Sequence, residues 1–300
     1  MTMVQASQVL AAPLQGNDCV FDSVSTDTRS LESDALYVAL KGERFDGHDF
    51  IADAEQGGAV GAVVSQLTDS PLPQIQVADT RLALGELPAA WRLQFKGSVI
   101  GITGSNGKTT VKEMIAAILS EKGQVLATRG NFNNDIGLPL TLLRIRQSDE
   151  YAVIEMGANH SGEIDYLTRL TRPDVAVITN AGPAHLEGFG SIEGVARAKG
   201  EIYAGLQVTG TAVINADDAY AAYWLSLCEH KDVLRFGLRA EDADVKGEWQ
   251  ATEAGGHLII TTADGRYELR LAVPGQHNAM NALAATAASL AAGASLDDVQ

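Results

Sequence analysis

The stretch "GITGSNGKTT" sets Gly104, Ser105, Asn106, Gly107, Lys108, Thr109 and Thr110 in the turn between an apolar run, "SVIGIT", and a helical pattern, "VKEMIAAIL". Residues of these types handle phosphate. Glycines let the backbone approach a ligand closely, the N–H groups at a helix start cradle anionic oxygens, and a lysine adds a point charge at the terminal phosphate. The common phosphate-loop spacing asks for a glycine at position 102, where Ile102 stands, so this loop is a shortened variant. Thr109, one residue into the helix, is suited to ligand a magnesium ion through its hydroxyl. A dinucleotide fingerprint fits less well: the glycines run Gly101, Gly104, Gly107, and the next strand, in "VLATRG", ends without the acid that would hold a ribose.

Downstream, Glu155 closes the apolar strand of "YAVIEM", where ligands of open α/β sheets gather. It is either a second magnesium anchor or a solvated strand-end acid. "DVAVITNAGPAHLEGFGS" runs a strand into a loop carrying Asn180 and His185, and His185 is either a ligand or a structurally satisfied histidine. His160 and Glu187 lie in similar loops with weaker claims. Lys199, among alanines and glycine in "GVARAKGEIY", reads on its own as a surface lysine. "NADD" (215–218) is either a ligand contact or the turn and cap of the next helix.

These residues need a frame. From residue 97, "SVIGIT", "QVLAT", "YAVIEM", "DVAVIT", "TAVIN" and "DVLRF" alternate with segments of crossover length, which predicts a doubly wound, mostly parallel sheet. "DVKGEWQATEAGGHLIITTADGRYELRLAVP" then predicts an antiparallel β appendage, turning at Gly255-Gly256 and Asp264-Gly265. "HNAMNALAATAASLAAG" is an alanine-rich helix with a glycine stop, and Ser295 reads as the N-cap of another. Residues 1–81 form a small α/β domain, with strands in "ALYVALKG" and "GAVGAVVS" around a helix in "FIADAEQGGA". "DTRLALGELPAAWRLQF" gives a helical lead-in interrupted by Pro88, and the domain boundary is placed ahead of it, leaving 82–300 as the second domain. The fold class is α/β.

Composition excludes several functions. Three hundred residues, 46% hydrophobic, suffice for two cored domains. A formal charge of -16 and a pI near 4.7 argue against nucleic acid, whose phosphates need a basic face. A small phosphorylated ligand remains compatible if magnesium and local cations offset the repulsion. The absence of a long apolar run and of a basic N-terminal region predicts no membrane span and no signal peptide, hence a cytoplasmic protein. Cys19 and Cys228 read as ordinary thiols.

Six ordered blocks, "GITGSNGKTT", "NFNNDIGLPLTLL", "IEMGANHSGEI", "NAGPAHLEGFGS", "ARAKGEI" and "GQHNAMNALAA", resemble the Mur ligases of peptidoglycan synthesis. The resemblance covers nearly the whole chain, and the second and third blocks are most similar to the member acting last in the series. It implies ATP as cofactor, two Mg2+ ions, and UDP-MurNAc-tripeptide and D-Ala-D-Ala as substrates. The γ-phosphoryl would pass to the tripeptide carboxylate, and the dipeptide amine would displace phosphate from the acyl phosphate to form the pentapeptide amide. Lys108 would neutralise phosphate charge. By position Thr109 and Glu155 match the ligands of one magnesium, and His185 matches a ligand of the other. Lys199 aligns with a lysine whose CO2-derived carbamate helps bind the second ion, which needs an amine of depressed pKa. Asn278 and Asn281 match adenine contacts, beside His277.

"STDTRSLESDALYVALKGERFDGHDFI" resembles the family's UDP-sugar domain. Ser25, Thr26, Asp27 and Arg29 would serve the uridine diphosphate, with Lys41 and Arg44 as local cations, and Asn133 and Asn134 would line the substrate cleft. The family carries a further C-terminal domain that grips the amino substrate. Its absence here implies that residues 1–300, expected to be monomeric, bind substrates without completing ligation. The alternatives are another Mur ligase of the series or a non-catalytic nucleotide-binding module. A guanine-binding switch would want N-K-x-D, and no asparagine here precedes a lysine.

Overall fold

The computed structural model describes all 300 residues, and their contacts divide them into two compact units, Met1–Gln94 with Pro139–Arg144, and Phe95–Leu138 with Ile145–Gln300. The division falls after Gln94 rather than at residue 81. The reason is the helix at 80–92: its buried Ala83, Leu84 and Leu87 belong to the core of the first unit.

The first unit runs α1 (Met3–Val9), β1 (Leu14–Gln15), β2 (Ser23–Ser25), β3 (Ala35–Val38), α2 (Ile51–Gln56), β4 (Ala59–Val64), β5 (Gln74–Gln76) and α3 (Thr80–Arg92). Its five strands lie in the order β1-β5-β4-β3-β2, parallel except for the short β1. The fully buried run of β3 is what a strand covered on both faces requires. Pro88 does not interrupt α3. It removes one helical N–H donor, but it is itself buried with Leu84 and Leu87, and that packing offsets the lost bond.

The second unit continues β6 (Ser98–Thr103), α4 (Lys108–Ser120), β7 (Val125–Ala127), the start of α5 (Gly137–Leu142, counted with the first unit from Pro139 on), β8 (Tyr151–Glu155), α6 (Glu163–Thr171), β9 (Val175–Ile178), α7 (Leu186–Phe189), α8 (Ile192–Gly200), β10 (Thr211–Asn215), α9 (Ala221–Ser226), β11 (Asp232–Gly237), β12 (Val245–Thr252), β13 (Gly255–Thr262), β14 (Gly265–Leu271), α10 (Gln276–Ala291) and α11 (Leu296–Val299). Its nine strands lie in the order β14-β13-β12-β11-β10-β9-β6-β8-β7. The sheet is parallel from β7 to β12, and β13 and β14 add the antiparallel edge. The first hairpin turns at Glu253 and Ala254, one step before the expected glycine pair. Gly256 instead lies under the Trp249 ring, where a Cβ would collide.

From β6 the chain builds outward to β7 and β8 on one side, then crosses to β9, β10 and β11 on the other. The carboxyl end of β6 is therefore a topological switch point, where the loops of an open α/β sheet diverge and leave a crevice. Helices α4 and α10 cover one face. The alanines of α10 (Ala279, Ala282, Ala285, Ala288) let it approach α4 and the strands closely, sharing a core with Ile100, Ile102, Val111 and Ile115. No helix is long and apolar enough to cross a membrane, and Cys19 and Cys228 are free thiols.

Candidate active site

The predicted loop leaves β6 at the switch point and enters α4 at Lys108. Gly104 (φ +147°) and Gly107 (φ +82°) take conformations that side-chain-bearing residues avoid. A Cβ on Gly104 would collide with the Thr179 side chain, and one on Gly107 with the Asn281 amide. The chain after β9 pins the loop from outside: Ser105 N donates to Asn180 O (3.0 Å), Asn106 N to Asn180 Oδ1 (3.0 Å), and Thr179 Oγ1 to Asn106 O (2.6 Å). Ser105 Oγ donates to Gly182 O (3.1 Å) and accepts from Gly182 N (2.9 Å). The amides of Ser105 and Asn106 are thus spoken for. The open donors are those at the start of α4, whose 13 residues begin with no side-chain cap and no acid in the first turn.

Lys108 Nζ donates to Gly104 O (2.8 Å) and Ser105 O (3.3 Å). Burial pulls its pKa below the usual lysine value, and Glu155 partly opposes that. Glu155, 2% exposed at the end of β8, is not a solvated acid. Its Oε2 accepts from Thr109 Oγ1 (2.9 Å), its Oε1 from Asn133 Nδ2 (2.8 Å), and its backbone N donates to Thr128 Oγ1 (3.0 Å). Asn133 therefore faces the carboxylate. Asn134 caps α5, its Oδ1 accepting from Gly137 N (2.8 Å) and Ile136 N (3.3 Å).

Beside the loop lies a cavity of about 790 Å³ lined by Asn106, Gly107, Thr110, Thr179 and Asn180 on one side and by Asp217, Arg239, His277, Asn278 and Asn281 on the other. Asn278 Nδ2 donates to Pro274 O (2.8 Å), and its Oδ1 accepts from Asn281 Nδ2 (3.3 Å). The "NADD" residues hold the walls. Asn215 Nδ2 donates to Thr179 O (2.8 Å), and Asp218 Oδ2 accepts from Ala181 N (2.9 Å). Asp217 accepts from the N–H groups of Leu238, Arg239 and Ala240 at 2.8–3.1 Å. Sequence reasoning missed Arg239, a cation on the wall of this cavity; the only available signal was a lone basic residue shortly after the end of an apolar strand.

Lys199, near the end of α8, is 2% exposed and not a surface lysine. Its helix turns it inward, against Phe189, whose ring centroid lies 5.5 Å from Nζ. The ammonium has no hydrogen-bond or ion-pair partner. Burial, with Lys108 as the next cause, pulls its pKa down to about 8 against the opposing pull of Glu201 and Glu163. Glu201 caps the start of α6 through Gly162 N (2.8 Å) and Asp165 N (3.1 Å). His185, at φ +51° before α7, is exposed and forms no hydrogen bond with Glu155 or Lys199. His160 pairs with Glu163 (3.2 Å), and Glu187 is exposed.

In the first unit a cavity of about 460 Å³ is lined by Thr26, Asp27, Thr28, Arg29, Tyr37, Phe45 and Phe50. Arg29 grips Asp27 through Nε (2.9 Å) and Nη2 (2.6 Å), which holds the Asp27 carboxyl down at about 2. Ser25 Oγ is turned onto the Asp27 backbone (3.0 Å), and Lys41 pairs with Asp46 (3.3 Å). Phe45, 58% exposed, gives the cavity an aromatic face that the sequence reading did not single out.

A shortened glycine-lysine-threonine loop at the switch point of a parallel sheet, with a buried carboxylate on the adjacent strand, puts the chain among the phosphate-loop α/β proteins. Within that class it belongs to the Mur ligase family: residues 102–289 match the Mur ligase middle domain, and residues 20–92 match the Mur ligase family, catalytic domain. It is 49% identical to the UDP-N-acetylmuramoyl-tripeptide–D-alanyl-D-alanine ligase of Escherichia coli K12, over 100% of this chain and 67% of that one. A crystal structure of MurF from Acinetobacter baumannii superposes with a TM-score of 0.93 at 40% identity, covering 99% of this chain and 66% of that one. The MurF ligase of Thermotoga maritima, solved in complex with ADP, gives 0.81 at 31% identity, covering 92% and 65%. The chain spans about two thirds of the length of these relatives.

Proposed function

We propose that these residues form the ATP- and UDP-substrate-binding parts of a cytoplasmic ligase joining D-Ala-D-Ala to UDP-MurNAc-tripeptide, with UDP-MurNAc-pentapeptide, ADP and phosphate as products. The observation that carries the reading is the pairing of Thr109 with Glu155 directly behind the loop that presents Lys108 and the uncapped start of α4. Phosphoryl transfer asks for positioning and charge neutralisation, and these groups supply both. The E. coli and A. baumannii relatives support the choice of substrates.

In this reading the phosphates lie on the N–H groups at the start of α4 with Lys108 on the terminal one, and the nucleoside lies in the cavity beside Asn278 and Asn281. A hydroxyl and a single buried carboxylate suit magnesium, a hard cation that keeps its waters and takes few protein ligands when it arrives with phosphates. Thr109 and Glu155 would hold it, and it would neutralise charge on the β- and γ-phosphates. No three His, Cys, Asp or Glu side chains converge for a second ion. A second ion would depend on Lys199 becoming a carbamate: its neutral amine would add to CO2 and lose a proton, giving a carboxylate that, with His185, would hold the ion. The uracil would lie against Phe45, with Arg29 turning from Asp27 to the diphosphate.

The test is phosphate release from ATP, in a chain of the relatives' length, that requires both UDP-MurNAc-tripeptide and D-Ala-D-Ala. ATP binding with no phosphate release in the presence of both substrates would favour the non-catalytic nucleotide-binding alternative. Dependence on a different amino compound would point to another ligase of the series.

A further inference from the structure

Lys112 lies one turn beyond Lys108 on α4 and is 1% exposed, among the largest fully buried side chains of the protein. Its neighbours on the covered side of the helix, Val111, Ile115 and Leu119, are apolar. Burying an ammonium costs several kcal/mol unless its donors are met, so an apolar side chain would be the cheaper filler here. Lys112 Nζ donates to Thr128 O (2.7 Å) and pairs with the exposed Glu113 carboxylate (2.9 Å).

The acceptor explains the choice. Thr128 follows the last paired residue of β7, and its hydroxyl accepts from the backbone N of Glu155 (3.0 Å). Glu155 Oε2 in turn accepts from Thr109 Oγ1 (2.9 Å), three residues before Lys112 on the same helix. The contacts close a ring: α4 to Thr128 through Lys112, Thr128 to the end of β8, and Glu155 back to α4 through Thr109. We propose that Lys112 is a positioning residue, a buried strut that sets the separation of Thr109 from Glu155 and so the geometry in which the two take a nucleotide-borne divalent cation. The proposal rests on the nucleotide reading above. Lys112 touches neither ligand, and without it α4 can shift along β8 while the loop and the helix start remain intact.

Calorimetry of ADP binding to the 300-residue chain, with and without Mg2+, separates the outcomes. Wild type is expected to gain affinity on adding Mg2+. Lys112→Met, which keeps the volume and removes the donor, should lose about tenfold of that gain with metal-free ADP affinity held within about twofold. Thr128→Val, which deletes the hydroxyl and keeps the carbonyl, should show the same selective loss. Lys112→Arg should restore part of the gain. An unaltered Mg2+ gain in Thr128→Val or in folded Lys112→Met overturns the strut, as does an equal loss of affinity with and without metal. Failure of wild type to bind ADP at all would overturn the nucleotide reading itself.

Discussion

The ammonium of Lys108 donates to the carbonyl oxygen of Gly104, four residues back in its own loop, at 2.8 Å. The loop's own carbonyl dipoles serve the ammonium. The bonds to Gly104 and Ser105 keep a half-buried cation satisfied, and a terminal phosphate would replace them with a stronger contact in which both partners are charged. Lys108→Met should therefore weaken ADP and ATP binding by about ten- to a hundredfold, as loss of one hydrogen bond to a charged group implies. Chemical denaturation should show stability changed by less than about 1 kcal/mol, because the lost bonds are offset by the half-buried charge that goes with them. Unchanged ATP affinity would remove Lys108 from the phosphate site.

Gly107 combines a positive φ with a close neighbour, and Gly130 separates the two effects. Gly107→Ala meets backbone strain at φ +82° and a collision with the Asn281 amide. Gly130→Ala meets strain alone, at φ +51° with open space around the added methyl. The second should cost about 1 kcal/mol and leave ADP binding untouched. The first should cost about 2–3 kcal/mol and weaken ADP binding, because Asn281 must leave the cavity wall. Equal effects on ADP affinity would show that Asn281 is not part of the nucleotide surface.

How far the sequence carried the site follows from what each residue depends on. The loop, Thr109 and Glu155 were legible because their meaning lies in local order: an apolar strand, then a turn or an acid, at the end where open sheets bind ligands. Six of the seven parallel strands of the second unit were legible for the same reason, each being a short apolar run between crossovers, while β12, which pairs parallel with β11, was read as part of the antiparallel appendage. Lys199 was not, because alanine and glycine neighbours say nothing about which way a helix faces; only the fold turns it inward, onto Phe189. Asn133 could be placed near a ligand cleft but not against Glu155, a contact made across 22 residues. Pro88 misled because propensity forbids it in a helix interior, and its own burial, which overrides that cost, is a tertiary fact.

Asp217 is the hinge pin of the cavity wall. Its carboxylate takes the N–H groups of three successive residues, Leu238, Arg239 and Ala240, which no strand partner serves. Asp217→Ala would leave all three without that acceptor and should cost about 2–3 kcal/mol by urea denaturation. Arg239→Ala keeps the three backbone bonds to the carboxylate and loses only the exposed guanidinium's contacts with Asp217, Nη2 to the carbonyl oxygen (3.3 Å) and Nε to the carboxylate (3.7 Å), so it should change stability by less than about 0.5 kcal/mol. If both variants weaken ADP binding, Arg239 is the contact that Asp217 holds in place. If only Asp217→Ala does, the wall matters as a surface and its cation does not.

Lys199 makes stability depend on alkaline pH in a predictable direction. Its pKa in the folded protein is about 8, below the usual lysine value of 10.5. Below pH 8 both folded and unfolded chains carry the proton, and the folded one bears the full cost of a buried, unpartnered ammonium. Between pH 8 and 10.5 the folded chain releases the proton while the unfolded chain keeps it. The unfolded state then binds more protons, so stability rises with pH across that window. The full shift corresponds to on the order of 3 kcal/mol. Lys199→Met cannot titrate, so the difference in unfolding free energy between wild type and variant, taken by urea denaturation in CO2-free buffer, should move in favour of wild type from pH 7.5 to pH 10. Added bicarbonate near pH 8 should consume the neutral amine and change the wild-type curve alone. A pH-independent difference would mean that Lys199 keeps its proton in the folded protein, and the carbamate reading of this residue would fail with it.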